Sequence, residues 1–152
     1  MEVLLHYVWK HKIFPLEELY TTSREIVEVI DPGLSNTDAG PDFFNAKIKI
    51  NGTIWVGNIE IHENASDWFL HNHDTDAHYD NVILHVVRHA NSIVTRADGS
   101  IIPQLELPVP SYVEDNYHEL FATDTYPPCY RIVKTLPLLL VHNLIDAMQL
   151  ER

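Results

Sequence analysis

One stretch constrains this chain more than any other: GPDFFNAKIKINGTIWVGNIEIH, residues 40–62. Asn51-Gly52 within it is a strong short hairpin signal, because a two-residue turn of the primed type needs positive φ at both central positions. Phe43 to Ile50 and Ile54 to His62 are therefore expected to be paired antiparallel strands. With a two-residue loop Ile50 faces Thr53, and Phe44, Ala46, Ile48 and Ile50 share an apolar face with Trp55 and Ile59. A hairpin needs no more than that. It does not need Asp42 behind a proline at one end, or Glu60 and His62 at the other. Glu60 and His62 lie two apart on one strand and so point to the same face. In an uninterrupted register Asp42 would face Ile61, on the face opposite Glu60. Bringing the two acids together requires a bulge, with Gly57 the natural position, or a bend at Pro41 that takes Asp42 out of the strand.

Around this hairpin the pattern alternates between helix and strand. Residues 2–13 read as a helix with Val3, Leu4, Val8 and Trp9 on one side, stopped by Pro15. PLEELYTT reads as a second short helix with acids in its first turn. EIVEVIDPG reads as a strand ended by Asp-Pro-Gly, and LSNTDAGP as loop. ENASDWFLHNHDTDAHYD is expected to be helical, capped by Asn64 or Ser66 and frayed near Asp74. NVILHVV, short and nearly all apolar, reads as a strand buried on both faces. A helical crossover of about a dozen residues before it implies that Val82 to Val87 runs parallel to Ile54–His62. SIVTRADGSIIPQLEL reads as a second hairpin turning at Asp98-Gly99. SYVEDNYHELF reads as helix, TDTYPPCY as linker, and LPLLLVHNLIDAMQLER as an apolar helix. The expected class is α/β, a mixed α+β sheet with helices on it: one domain over residues 1–125, then linker and helix over 126–152. That last helix carries an uncapped stripe of Leu138, Val141, Leu144, Ile145 and Met148. It is either docked on its own domain or the start of a region beyond this chain, and in the second case it could also pair with another copy as a homodimer.

Composition narrows the function classes. Three Trp, seven Tyr and five Phe in 152 residues argue against disorder, and no apolar run approaches the ~20 residues that cross a membrane. The start, MEVLLHYVWKHKIFP, lacks the apolar core and cleavage site of a signal peptide. A lone Cys129 excludes an internal disulfide and fits a cytoplasmic location. The formal charge is −12. From Asp31 to Asp80 there are nine acids against only Lys47 and Lys49. A field of that sign repels phosphates, which disfavours nucleic acid as a partner of this chain alone, and it suits cations.

Two carboxylates at adjacent strand ends can hold a hard cation. Mg²⁺ or Mn²⁺ takes oxygen ligands and keeps several waters, so Asp42 and Glu60 with a substrate phosphate would suffice. His62 beside them could act as base or ligand. Six of the ten histidines fall between residues 62 and 89. Of these, His71 and His73, with Asp74 and Asp76 close by, could bind Zn²⁺ or another transition metal. On a helix, positions two apart point about 200° away from one another, so this pair chelates only if the helix ends there. His85 and His89 are expected to be structural, with His85 satisfied inside its strand by a carbonyl or carboxylate. Trp68 and Tyr79 are expected in the core.

Pro41-Asp42, followed 18 residues later by Glu60-Ile61-His62, resembles the PD-(D/E)XK signature of the restriction-endonuclease-like nuclease superfamily. The order of expected elements is similar to that superfamily's α-β-β-β-α-β core, here with an added C-terminal hairpin and helices. The run GPDFFNAKI…GNIEIH…DWFLHNHDTDAHYDNVILHVV also resembles an uncharacterised bacterial family of larger proteins. The nuclease resemblance implies Asp42 and Glu60 as metal ligands, Mg²⁺ or Mn²⁺ as cofactor, and phosphodiester hydrolysis as the reaction. His62 stands where the pattern has lysine, and His71 or His73 would then supply the missing proton-transfer or phosphate-positioning group. The competing expectation is a non-catalytic interaction or scaffold domain that keeps the fold while its acids serve as surface. A His-rich barrel like a cupin is the third, against which the helix before NVILHVV speaks. Placement separates them: Asp42, Glu60 and His62 converging under a cleft favour an enzyme.

Overall fold

The computed structural model describes residues 2–14 and 18–116. Helix α1 spans Glu2–Lys10. The strands are β1 (Leu19–Tyr20), β2 (Ile26–Asp31), β3 (Leu34–Ser35), β4 (Phe43–Ile50), β5 (Thr53–Asn64), β6 (Val82–His89) and β7 (Gln104–Glu106). Helices α2 (Asp67–Leu70) and α3 (Ser111–Asp115) are short. All strands belong to one mixed sheet in the order β1-β2-β4-β5-β6-β7, with β3 also on β4. The linker and apolar helix expected over 126–152, and the end of the helix beginning at Ser111, lie outside the described residues.

The hairpin forms as its turn residues dictate, with Asn51 at φ 49° and Gly52 at φ 83°. Ile50 pairs with Thr53 and Ile48 with Trp55. Beyond Ala46↔Gly57 the register slips: the next pair is Phe43↔Ile59, so Phe44 and Asn45 together oppose Asn58. The expected bulge exists, but on β4, where Asn45 adopts φ 55°, and not at Gly57. Asn tolerates the left-handed region better than most side chains, which is why it can carry the extra residue. The slip makes Phe43, 1% exposed, the buried aromatic in place of Phe44. Gly57 answers a different need. A Cβ there would lie 2.4 Å from Ile83 Cγ2 and 2.7 Å from Asn81 O, so β6 can begin beside β5 only because Gly57 has no side chain.

β5 and β6 pair in parallel, as the crossover implied, from Asn58↔Val82 to Asn64↔His89. Ile83 is an extra residue in that ladder. β7 pairs in parallel with β6. The second hairpin reduces to one bridge, Thr95↔Ile101, around the Asp98-Gly99 turn. Its outgoing segment leaves to become β7, since His85 and Val86 offer unpaired ladder groups that a two-strand ribbon would leave bare. Thr21, just past β1, bridges Leu105 of β7, and Thr22 donates its N–H to Gln104 O at 2.9 Å. The two outer strands of the sheet therefore meet, a closure with no counterpart in the expected α-β-β-β-α-β order.

The sheet separates two apolar clusters. α1 buries Leu4, Leu5, Val8 and Trp9 against Val27, Phe43, Ile48, Ile59, Ile61, Leu84 and Val86. Each of the three aliphatic helix side chains contributes about 1.5–3 kcal/mol by leaving water. Leu5, not Val3, completes the stripe; Val3 is 55% exposed. Trp9 also donates its indole N–H to Pro32 O at 2.9 Å. On the other face Trp68, Tyr79, Val82, Val87, Val94 and Ile102 pack together. Trp68 and Tyr79 are core, as expected. Between these two aromatics the expected long helix does not form. α2 lasts four residues, Asn72 turns to φ 59°, and two 3-10 turns follow at His73–Thr75 and Ala77–Tyr79. Asp, Asn and Ser side chains compete for backbone amides here, and Asp76 takes the His78 N–H at 2.9 Å. PLEELYTT likewise departs from expectation: Leu19–Tyr20 is strand, because Leu19 and Tyr20 pair with Val27 and Ile26. LSNTDAGP opens with the two-residue β3, which covers the β4 edge at Phe43 and Phe44.

Candidate functional site

The slip at Asn45 sets Asp42 against Glu60. Glu60 Oε2 accepts the Asp42 N–H at 3.1 Å, and Asp42 Oδ2 accepts the Ile61 N–H at 2.9 Å. Asn36 holds the approach to Asp42. Its amide donates to the carbonyls of Asp38, Ala39 and Pro41, and its own N–H reaches Asp42 O at 2.8 Å. Glu60 and His62 face the same side, as their spacing requires, and are 5% and 1% exposed.

Because α2 ends at Leu70, His71 and His73 do not point apart along a helix. The left-handed Asn72 between them turns both rings toward β5. One nitrogen from each of His62, His71 and His73 lies within 4.8 Å of the other two. His62 Nε2 is 3.1 Å from His71 Nδ1 and 3.5 Å from Glu60 Oε1. His73 Nε2 approaches Glu60 Oε1 at 3.2 Å without hydrogen-bond geometry, so this buried nitrogen has no hydrogen-bond partner. Its ring stacks on Tyr79 with centroids 3.7 Å apart. His6 of α1 brings Nε2 to 3.4 Å from Asp42 Oδ2, again without a hydrogen bond. Asp42, Glu60, His62, His71 and His73 thus meet at one cleft of about 560 Å³, which Glu2, Asp76 and Tyr79 also line. All five residues singled out from the sequence converge.

His85 is fully buried and satisfied by a carbonyl oxygen, as expected, with His85 Nδ1 2.9 Å from Gln104 Oε1; its other nitrogen was not expected to meet the His62 ring, where His62 Nδ1 lies 2.7 Å from His85 Nε2. It is joined to the site from beneath. Sequence reading missed His6, Glu2 and Gln104. Only the polar interruption of LLHYV and of IIPQLEL hinted at His6 and Gln104, and nothing marked Glu2.

The electrostatics are those of a site short of positive charge. Burial, and then the Asp42 carboxylate, push Glu60 up to about 9. Burial lowers His62 far below its ordinary value, with the neighbouring imidazoles adding to the effect, and lowers His73 as well. Burial takes His85 down to about 4. His6 goes the other way: burial pulls it down, but the nearby Asp42 carboxylate, with Glu2 and Glu60 behind it, outweighs that and raises it. Glu2 is raised by burial and by Asp42. A buried acid crowded against a second carboxylate and buried imidazoles is a donor set a divalent cation fits, since it relieves both the carboxylate repulsion and the unpartnered His73 nitrogen.

Fold and site define a mixed α+β sheet protein with an acid–histidine cleft on one face. Residues 2–152 match the family model described as Protein of unknown function (DUF2851), and the chain belongs to that family. No curated protein and no solved structure matches it. Among the described residues no helix is long and apolar enough to cross a membrane.

Proposed function

We propose that this chain carries a divalent-metal-dependent phosphodiester hydrolase site of the nuclease-like kind, with Asp42 and Glu60 as the metal ligands. The observation that carries the reading is the pairing of these two acids at the cleft, achieved only because β4 holds one residue too many for a regular ladder. Supporting it are the Pro41-Asp42…Glu60-Ile61-His62 spacing and the run α1, β2, β4, β5, α2, β6, with antiparallel pairs followed by a parallel one. Mg²⁺ or Mn²⁺ on the two carboxylates would polarise the scissile phosphate and lower the pKa of an attacking water. The chain's own residues then act around it. Asp42 is fixed by the Ile61 amide, His71 at the rim is placed to meet the phosphate or the water, and Trp68 and Tyr79 keep the floor dry. With formal charge −12 the chain offers little attraction to a polyanion, so substrate affinity would rest on the metal.

A second reading, a nuclease-like frame kept for interaction without cleavage, draws on one observation. His62, at the position of the expected lysine, is buried and tied to His85, so it cannot swing toward a phosphate.

The test is cleavage of single- and double-stranded DNA, RNA and an activated phosphodiester with Mn²⁺ or Mg²⁺, for the parent, Asp42→Asn and Glu60→Gln. The hydrolase reading expects activity in the parent and a loss of about 100-fold or more in each variant, the scale of removing a metal's charge stabilisation. Metal binding without turnover on any of these substrates would favour the second reading. No binding at millimolar metal overturns the metal site itself.

A further inference from the structure

We infer that the three-histidine corner of the cleft is a transition-metal site of the Zn²⁺ class, with His62 Nε2, His71 Nδ1, His73 Nε2 and Glu60 Oε1 as ligands and Gln104 as the residue that sets its polarity. It goes beyond the Mg²⁺ or Mn²⁺ site proposed above and shares with it one ligand, Glu60, whose Oε2 faces Asp42 while Oε1 faces the histidines.

Hydrogen-bond direction carries the argument. Gln104 Nε2 donates to the Ser92 carbonyl at 2.7 Å, which fixes the amide and leaves Oε1 as acceptor toward His85. His85 must then carry its proton on Nδ1, 2.9 Å from that oxygen, and present a lone pair at Nε2. That lone pair requires the proton of His62 to be on Nδ1, 2.7 Å away. His62 Nε2 is therefore bare, and it points into the cleft at His71 Nδ1 and Glu60 Oε1. One backbone carbonyl, that of Ser92 beyond β6, thus prepares a lone pair at the cleft. A metal-bound histidine commonly hydrogen-bonds through its other nitrogen in this way, which raises its basicity and holds its ring.

The spacing agrees. Four ligands about 2.0–2.1 Å from a tetrahedral Zn²⁺ stand about 3.3 Å from one another. His62 to His71 is 3.1 Å, His73 to Glu60 3.2 Å and His62 to Glu60 3.5 Å. Lone pairs and carboxylate oxygens at these distances repel unless a cation or a proton lies between them. His73, 8% exposed with its Nε2 unpartnered, aims into the same point. Two imidazoles beyond the first also select against Mg²⁺, which prefers oxygen, and for Zn²⁺, Co²⁺ or Ni²⁺.

Co²⁺ is the probe, because four-coordinate Co²⁺ with nitrogen ligands absorbs in the visible while octahedral Co²⁺ is nearly colourless. Titrating the EDTA-treated protein with CoCl₂ should give one equivalent bound with a strong visible band, displaced by Zn²⁺. His71→Ala and His73→Ala should each weaken binding about 10-fold or more and bleach the band. Gln104→Leu should weaken it by about 10–100-fold, the usual cost of losing a partner behind a ligand. Gln104→Glu, which still accepts from His85 but loses its bond to the Ser92 carbonyl, should recover part of it. Asp42→Asn should leave the band in place, so loss of Mn²⁺ binding in that variant reports on the hydrolase site and not on this one. Failure of Co²⁺ to bind with a visible band, or unchanged binding in His71→Ala and His73→Ala, overturns the inference. A Gln104→Leu protein that keeps its fold and full Co²⁺ affinity removes the role given to Gln104.

Discussion

Asp42 and Glu60 hold each other's strands. The Glu60 carboxylate accepts the Asp42 N–H at 3.1 Å, and the Asp42 carboxylate accepts the N–H of Ile61, next to Glu60, at 2.9 Å. Two acids are clasped through two backbone amides. The bonds fix both side chains but neutralise neither, so the pair stays repulsive until a cation or a proton joins it.

The metal-free protein should therefore be most stable in weak acid. Glu60 is raised from 4.5 to about 9, so the stability tied to its neutral form is complete below pH 4.5 and is lost as pH climbs toward 9. His85 is lowered from 6.5 to about 4, and His62 is lowered too. Their contribution is complete above pH 6.5 and is lost as pH falls. Thermal unfolding in EDTA should show its highest Tm between about pH 4.5 and 6.5. Mn²⁺, which needs the carboxylate, should move that maximum upward. A Tm that rises from pH 6.5 to 9 in EDTA would contradict the placement of Glu60.

Removing one acid should stabilise the metal-free fold while it destroys metal affinity. Asn at position 42 can still accept the Ile61 N–H, and Gln at position 60 can still accept the Asp42 N–H. In EDTA at pH 8, Asp42→Asn and Glu60→Gln should each raise Tm by a few degrees, the scale of about 1 kcal/mol in a domain of this size. Calorimetry with Mn²⁺ should show binding lost in both. Variants that melt earlier than the parent in EDTA would mean the clasp matters more than the repulsion.

Asn45 can be altered without touching any ligand. At φ 55° it should accept Gly with little loss, whereas Val should cost about 1–2 kcal/mol because a β-branched residue avoids the left-handed region. If Asn45→Val escapes that strain by straightening the ladder, Asp42 leaves Glu60 and Mn²⁺ affinity drops. Comparing Tm and Mn²⁺ calorimetry for the two variants separates strain from register. Equal Mn²⁺ affinity and equal Tm for Gly and Val would remove the bulge from the account.

Gly57→Ala tests the beginning of β6. The added methyl meets Asn81 O at 2.7 Å as well as the Ile83 side chain at 2.4 Å, and a backbone oxygen cannot swing aside. Overpacking of this kind costs about 1–3 kcal/mol, read as a fall in Tm. A neutral substitution would show that β6 can start further from β5.

The hairpin, the parallel β5–β6 pair and the buried face of α1 were legible in the sequence because each rests on a local rule: Asn-Gly for the turn, a crossover length, an apolar stripe. The five candidate side chains were legible because acids and histidines stand out among apolar neighbours. What escaped was set by competition between neighbours. The expected helix after Asn64 yields to side chains that bind their own backbone at Asp76 and Asn72, and no periodicity reports that contest. Leu19–Tyr20 is strand only because Ile26 and Val27 lie beside it. His85 has the sequence signature of a packed strand residue. Its tie to His62 comes from the register of β5 on β6 and from Gln104, which is 19 positions away.

The extra residue in β4 makes the candidate site a matter of parity. Between the Asn51-Gly52 turn and Asp42, the number of residues decides on which side of the sheet the first acid emerges, and one unit changes the answer. An 18-residue spacing between Asp42 and Glu60 is silent on this, because the same interval in a regular ladder would put the acids back to back. A single deletion at Phe44 or Asn45 would leave the composition, the charged residues and most of the core as they are, and still dismantle the cleft's chemistry. In this strand an insertion or deletion of one residue would undo the arrangement as surely as replacing the acids themselves.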